Sequence, residues 1–260
     1  MSILRYTCRE SAEMTSAFFI SAASVRALAV LPAAVGPTIT TMKGLPITEQ
    51  LYDYIVDLFA PEDDLLKMLP TEAQAEGIPL INISPDQGKF LQVLMQAVRA
   101  KNAIEVGSLF GYSTIWLARA LPAGGKLYTL ELNPKHAAST RRNVARAGLS
   151  DKVEVIEGDA RKTLDTLVPH GPFDFAFVDA EKIEYIDYFE KVMAILRPGA
   201  IIVGDNASAH GAAWNTNPSA SERNFVNPIR AFNQRMATDP RLSSLLVPIS
   251  DGMCVGVVKG

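Results

Sequence analysis

The sequence predicts an α/β fold, a doubly wound and mostly parallel seven-stranded sheet with helices on both faces and an antiparallel strand pair at its C-terminal end. Three observations predict it. Five short apolar runs lie between Ala103 and Val203, each bounded by turn residues. Segments of helical pattern separate them. Beyond them, Asp251-Gly252 divides two further apolar runs, a hairpin signal. Strands alternating with helices build βαβ units, and such crossovers force neighbouring strands to run parallel.

In chain order, helical pattern begins at Thr48, where Leu51, Ile55, Leu58 and Phe59 recur at three- and four-residue steps. A second helix is expected over Pro85–Ala100, with Ser84 as N-cap, Pro85 in the first turn and Phe90, Leu91, Leu94, Met95 and Val98 on one side. Strands are expected over Ala103–Val106, Lys126–Leu130, Lys152–Ile156, Phe173–Val178 and Ala200–Val203. The helices between them centre on Ser113–Ala120, Pro134–Ala147, Ala160–Leu167 and Ile183–Leu196, the last closed by Arg197-Pro198-Gly199. A helix over Phe225–Met236 leads into strands over Ser244–Pro248 and Met253–Val258. No internal repeat or Gly/Ser linker interrupts this series, so residues 42–260 read as one domain.

Residues 1–41 differ: they are rich in Ala, Ser and Val, with an apolar run from Ala17 to Val35 broken by Arg26 and Pro32. A membrane span needs about 20 almost uniformly apolar residues. The stretch reads as an extension, disordered or loosely docked, with a targeting peptide or a docking helix as alternatives; Met42 offers an internal start. The 260 residues are 48% hydrophobic and 20% charged, an ordinary globular composition. A formal charge of -3 provides no basic excess, which argues against nucleic-acid and anionic-membrane partners. Two distant cysteines, Cys8 and Cys254, fit free thiols in a reducing, cytoplasmic setting.

In an open α/β sheet ligands bind beyond the carboxyl ends of the strands. Here the residues at those ends are Glu105 and Gly107, Glu131, Gly158-Asp159, Asp179, and Asp205-Asn206. Together they outline one acidic, glycine-edged crevice. The first turn, Gly107-Ser-Leu-Phe-Gly111, has two glycines where a backbone can approach a ligand, but it lacks the middle glycine of a dinucleotide turn. Leu109 and Phe110 crowd the phosphate position, which argues against a nicotinamide-dependent oxidoreductase. Glu105 beside the turn favours a cationic ligand, and Glu131 can hold a ribose diol. A cationic nucleoside without phosphate, S-adenosylmethionine, meets these demands. Asp179, Asp205 and Asn206 supply hard oxygen donors with no His or Cys close by, which suits Mg²⁺, or another divalent cation such as Ca²⁺ or Mn²⁺.

At these residues the sequence resembles the cation-dependent O-methyltransferases, a Rossmann-like S-adenosylmethionine-dependent family that includes the caffeoyl-CoA and catechol enzymes. The resemblance runs from about Thr48 to Lys259 and rests on Glu105-Val-Gly107, Gly111-Tyr-Ser113, Phe177-Val-Asp179-Ala-Glu-Lys182, Gly204-Asp-Asn206 and Leu246-Val-Pro-Ile-Ser-Asp-Gly252. The segment Ser84-Pro-Asp-Gln-Gly88-Lys-Phe-Leu91 is similar to the family's helix before the sheet. The resemblance implies that Glu105, Gly107 and Ser113 hold the methionine end of the cofactor, that Ser108 and Asp179 also belong to the cofactor site, and that Glu131 binds the ribose. It further implies that Asp159 and Ala160 border the adenine and that Glu181 lies near the methionine amino group. Asp179, Asp205 and Asn206 would bind the metal, and Asp179 and Lys182 would form the catalytic pair, with Lys182 as general base. Two departures stand out: Ile83 replaces a threonine of plant members, and Trp214 lies further from Asn206 than the tryptophan of many relatives.

The implied reaction is methyl transfer to one oxygen of a vicinal aromatic diol, catechol-type or caffeoyl-type. A non-catalytic cofactor-binding protein of the same fold is the alternative. The loop Ala207–Glu222 is the candidate lid, with His210 and Trp214 as candidate acceptor contacts. His136 and His170 read as surface or loop residues, Trp116 as core, and Tyr112 as a cofactor neighbour. The resemblance implies a homodimer, which exposed apolar faces between Thr48 and Leu69 could support.

Overall fold

The computed structural model describes residues 47–260; the expected extension over residues 1–41, and Cys8 within it, lie outside that range. Among the described residues, three helices precede the sheet: α1 (Glu49–Phe59), α2 (Asp64–Ala75) and α3 (Pro85–Ala97). Then come β1 (Asn102–Val106), α4 (Tyr112–Ala120), β2 (Lys126–Glu131), α5 (Pro134–Arg146), β3 (Val153–Glu157), α6 (Ala160–Thr166) and β4 (Phe173–Val178). The chain finishes with α7 (Tyr185–Met193), β5 (Leu196–Gly204), α8 (Ala220–Thr238), β6 (Leu242–Val247) and β7 (Met253–Val258).

The seven strands are ordered β3-β2-β1-β4-β5-β7-β6. Strands β1 to β5 pair in parallel, and β7 runs antiparallel to both β5 and β6, as the hairpin signal predicts. The chain leaves β1 for β2 and β3 on one side, then returns to lay β4 on the other. A crevice opens where strand order reverses in this way, at the carboxyl ends of β1 and β4. Gly107 and Asp179 are the residues that follow those two ends.

Side-chain alternation divides the core into two layers. On β4, Phe175 and Phe177 join the layer under α2, α3 and α4, while Ala176 and Val178 join the layer under α6, α7 and α8. On β5, Ile201 and Val203 take the first layer and Ile202 the second. Continuing this period turns Asp205 toward the α3 side. Gly204 faces α8, where a Cβ would lie 2.4 Å from the Phe232 ring.

Four expectations change. Helix α2 was not anticipated, because Pro70 within it reads as a breaker. The helix is held by burial of Leu66, Leu69 and Ala73 and by ion pairs from Arg142 and Arg146 of α5 to Glu76 and Glu72. Leu66 and Leu69 are therefore core, whereas Tyr54, Leu58 and Phe59 of α1 are exposed. Helix α3 stops at Ala97 because Arg99 adopts a left-handed conformation, φ 53°, without a glycine. Arg197-Pro198-Gly199 does not close α7, which ends at Met193. It lies inside β5, at a register shift against β4 where Arg197 Nε donates to Asp174 Oδ1 at 2.6 Å.

Candidate active site

The strand ends converge on one crevice of about 1030 Å³, at the upper end of small-molecule sites. Its lining includes Gly107, Ser108, Ser113, Glu131, Asp159, Ala160, Asp179, Glu181, Lys182, Asp205, Asn206 and His210. Thus the structure gathers nearly all the residues singled out in the sequence.

Glu105 and Trp214 are the exceptions. Strand alternation turns Glu105 to the α4 side of β1, beside Thr129 in the register of β2. There its fully buried carboxylate accepts hydrogen bonds from Ser113 Oγ at 2.6 Å, Thr114 Oγ1 at 2.5 Å and Thr129 Oγ1 at 2.6 Å. Burial, opposed by these three hydroxyls, pushes it up to about 7. Glu105 consequently lies behind the crevice wall, holding the turn that carries Gly107 and Ser113. Trp214 is 70% exposed and outside the crevice lining.

The turn after β1 owes its shape to internal contacts. Gly107 has φ 97°, and a Cβ there would lie 2.1 Å from the Asp179 carbonyl oxygen. Neighbouring backbone alone therefore requires a glycine here, whatever room it also leaves for a ligand. The backbone amides of Ser108 and Leu109 donate to Glu131 Oε2 at 3.1 and 2.9 Å, and that of Asn133 donates to Oε1 at 2.9 Å. Glu131 thereby ties the glycine turn to the end of β2 and stays on the crevice wall. His136, expected at the surface, lines the crevice with Nδ1 3.7 Å from Glu131 Oε1. Asp159 caps α6, and the Arg161 guanidinium draws it down to about 2.

At the other end stand the acidic residues of β4 and β5. Lys182 Nζ donates to Asp179 Oδ1 at 2.8 Å and to the Tyr185 hydroxyl at 2.5 Å. Asp205 is 5% exposed; burial, then the Asp179 charge, holds its carboxyl well above the usual carboxylate range. Asn206 takes a left-handed conformation, φ 56°, and its Nδ2 donates to Asp251 Oδ2 at 3.2 Å, which leaves its amide oxygen as the end not spent on Asp251. Among the described residues no three His, Cys, Asp or Glu side chains converge. The oxygen-bearing set here is two carboxylates and one amide.

Sequence reasoning missed several wall residues. Gln87 of α3 and Phe225 of α8 line the crevice, as does Asp251 from the hairpin turn. The His210 ring stacks on Phe225, centroids 5.4 Å apart and planes at 21°. The first half of the expected lid is tied down: Ala207 and Ser208 donate their amides to the carbonyls of Gly252 and Asp251, and Arg230 donates to those of Ala212 and Ala213. Trp116 is core as expected, and Tyr112 lines the crevice with its hydroxyl donating to Glu62 at 2.7 Å. His170 contacts Tyr128, away from the crevice lining.

The profile of the O-methyltransferase family matches residues 57–258. The chain belongs to the O-methyltransferase family. It is 41% identical over 220 residues to a catechol O-methyltransferase of Niastella koreensis, covering 82% of this chain and 98% of that one. It is 33% identical over 221 residues to caffeoyl-CoA O-methyltransferase 5 of Nicotiana tabacum, covering 81% and 92%. Among solved structures, an O-methyltransferase from Bacillus cereus in complex with SAH superposes with a TM-score of 0.74 at 41% identity, covering 80% of this chain and 96% of that one. The family assignment agrees with the parallel sheet and with the crevice at its strand-order reversal. Among the described residues no helix is long and apolar enough to cross a membrane.

Proposed function

We propose that this O-methyltransferase transfers the methyl group of S-adenosylmethionine to one hydroxyl of a vicinal aromatic diol and depends on a divalent cation. The observation that carries the reading is a single crevice that presents Glu131 at one end and Asp179, Lys182, Asp205 and Asn206 at the other. The donor set fits a hard cation. All three donors are oxygens, and the Asp179 charge disfavours ionisation of the buried Asp205, a repulsion that a bound cation would relieve.

S-adenosylmethionine supplies an electrophilic methyl on a sulfonium sulfur. A divalent cation supplies positive charge that favours the ionised form of a phenolic oxygen. The chain's own residues do the rest. Glu131 offers carboxylate oxygens to a ribose diol, and Ala160 and Asp159 border the space beyond it. Gly107, Ser108 and Ser113 line the crevice together with Asp179 and Glu181. Asp179, Asp205 and Asn206 would hold the cation. Lys182 Nζ, once free of its proton, accepts that of the acceptor hydroxyl. The stacked His210 and Phe225 give a planar acceptor a flat apolar neighbour at this end.

Transfer of a radiolabelled methyl group to catechol, with caffeoyl-CoA in parallel, tests the reading. Chelator should abolish transfer and Mg²⁺ should restore it; undiminished transfer in chelator would overturn the cation's role. Asp205→Ala should lose turnover while still binding S-adenosylmethionine by calorimetry.

A further inference from the structure

The first turn of α3 forms a wall of the crevice at the Asp205 end. Gln87 in that turn is 2% exposed. Its Oε1 accepts from both the backbone amide and the hydroxyl of Ser84, each at 3.0 Å, in a capping box. A side-chain amide whose oxygen is engaged in this way has only its NH₂ end left to offer. That end, Nε2, donates to Asp205 Oδ1 at 2.7 Å, with both side chains buried.

The carrier of Gln87 is itself held. The Gln92 side chain, one and a half turns on, donates to the Trp116 carbonyl at 2.9 Å. The adjacent Gly88 lets α3 lie against the Trp116 ring, where a Cβ would stand 2.6 Å from Cγ. The chain Ser84–Gln87–Asp205 therefore runs from a helix cap, through a side chain with no freedom to turn over, to a carboxylate. The terminal torsion of an aspartate is broad and two-fold, so an isolated carboxylate samples many orientations. A fixed, charge-assisted donor on one oxygen selects one of them.

We propose that Gln87 is a positioning residue that sets the orientation of the Asp205 carboxylate for a divalent cation, and that the Ser84 cap dictates which end of the Gln87 amide faces it. The inference rests on the reading of Asp179, Asp205 and Asn206 as cation ligands. Hydrogen-bond partners of metal ligands are commonly worth 10- to 100-fold in metal affinity.

The test is Mn²⁺ binding to the full chain, followed by calorimetry and by the electron-paramagnetic-resonance spectrum of the bound ion. Binding of S-adenosylhomocysteine is measured alongside. Gln87→Met, which keeps side-chain length and removes the donor, should weaken Mn²⁺ binding roughly 10- to 100-fold and broaden the spectrum. Affinity for S-adenosylhomocysteine should stay within about twofold, a split that general loosening of α3 would not produce. In turnover, the Mg²⁺ concentration for half-maximal rate should rise. Gln87→Asn, one methylene too short to bridge Ser84 and Asp205, carries the same expectation should Gln87→Met fail to fold. Unaltered Mn²⁺ affinity in a folded Gln87 variant overturns the role of Gln87. Unaltered Mn²⁺ affinity in Asp205→Ala, or none in the unaltered chain, overturns the cation reading beneath it.

Discussion

A Cβ on residue 107 would stand 2.1 Å from the carbonyl oxygen of Asp179, so the glycine after β1 and the aspartate after β4 are in backbone contact. This contact sits where the order of the strands reverses. It joins the turn that walls the middle of the crevice to the residue that begins its acidic end. Gly107 also has φ 97°, a region that side chains with a Cβ rarely occupy.

Gly107→Ala should therefore fail twice, through the clash with the Asp179 carbonyl and through backbone strain. The expected loss is about 3 kcal/mol of folding stability, from overpacking and a forced conformation together. Urea denaturation measures it. A stability equal to that of the unaltered chain would show that the β1 and β4 turns can separate freely.

Glu105 gives a pH signature. Its folded-state value, raised by burial to about 7 from 4.5, means that the folded chain binds this proton more tightly than the unfolded chain does. The resulting stabilisation is complete below about pH 4.5 and is lost as pH rises through about 7, amounting to on the order of 3 kcal/mol. Glu105→Gln removes the proton and with it this slope. Urea midpoints taken between pH 5 and 8 should fall with pH in the unaltered chain and change less in the variant. Parallel curves would remove Glu105 as the cause.

Lys182→Met keeps the length of the side chain but cannot take up a proton. Turnover should drop roughly 10²- to 10⁴-fold, with S-adenosylhomocysteine affinity little changed. Full activity in Lys182→Met would assign the proton to another group.

Gly88→Ala pushes a methyl into the Trp116 ring, whose residue is 3% exposed and has no room to swing away. A cost of about 2 kcal/mol is expected, typical of overpacking. Thermal unfolding reads it directly, and an unshifted midpoint would mean that α3 and α4 are less tightly packed than they stand here.

Much of this fold was legible because its signals are local. Alternating apolar runs, Ser84-Pro85 at a helix start and Asp251-Gly252 at a hairpin each depend on a few adjacent residues. Helix α2 escaped because Pro70 breaks the local pattern, while its support comes from Leu66 and Leu69 in the core and from arginines of α5 more than sixty positions away. The start of β5 was misplaced for a similar reason. Arg197-Pro198-Gly199 has the composition of a turn, and pairing with β4 draws it into a strand with a shifted register.

The site divides along the same line. Residue type and place after a strand were enough to mark Glu131, Asp179, Asp205 and Asn206, since a parallel sheet delivers every strand end to one edge. They were not enough for the direction a side chain takes beyond that edge. Glu105 turns inward because β1 alternation aims it at three hydroxyls. Gln87 enters the crevice because Ser84 engages its oxygen and α3 packs on Trp116. Periodicity and chain order are properties of neighbours in sequence, and they were readable from the residues alone. Which atoms meet across 118 positions, as Gln87 and Asp205 do, depends on packing that exists only once the layers have closed.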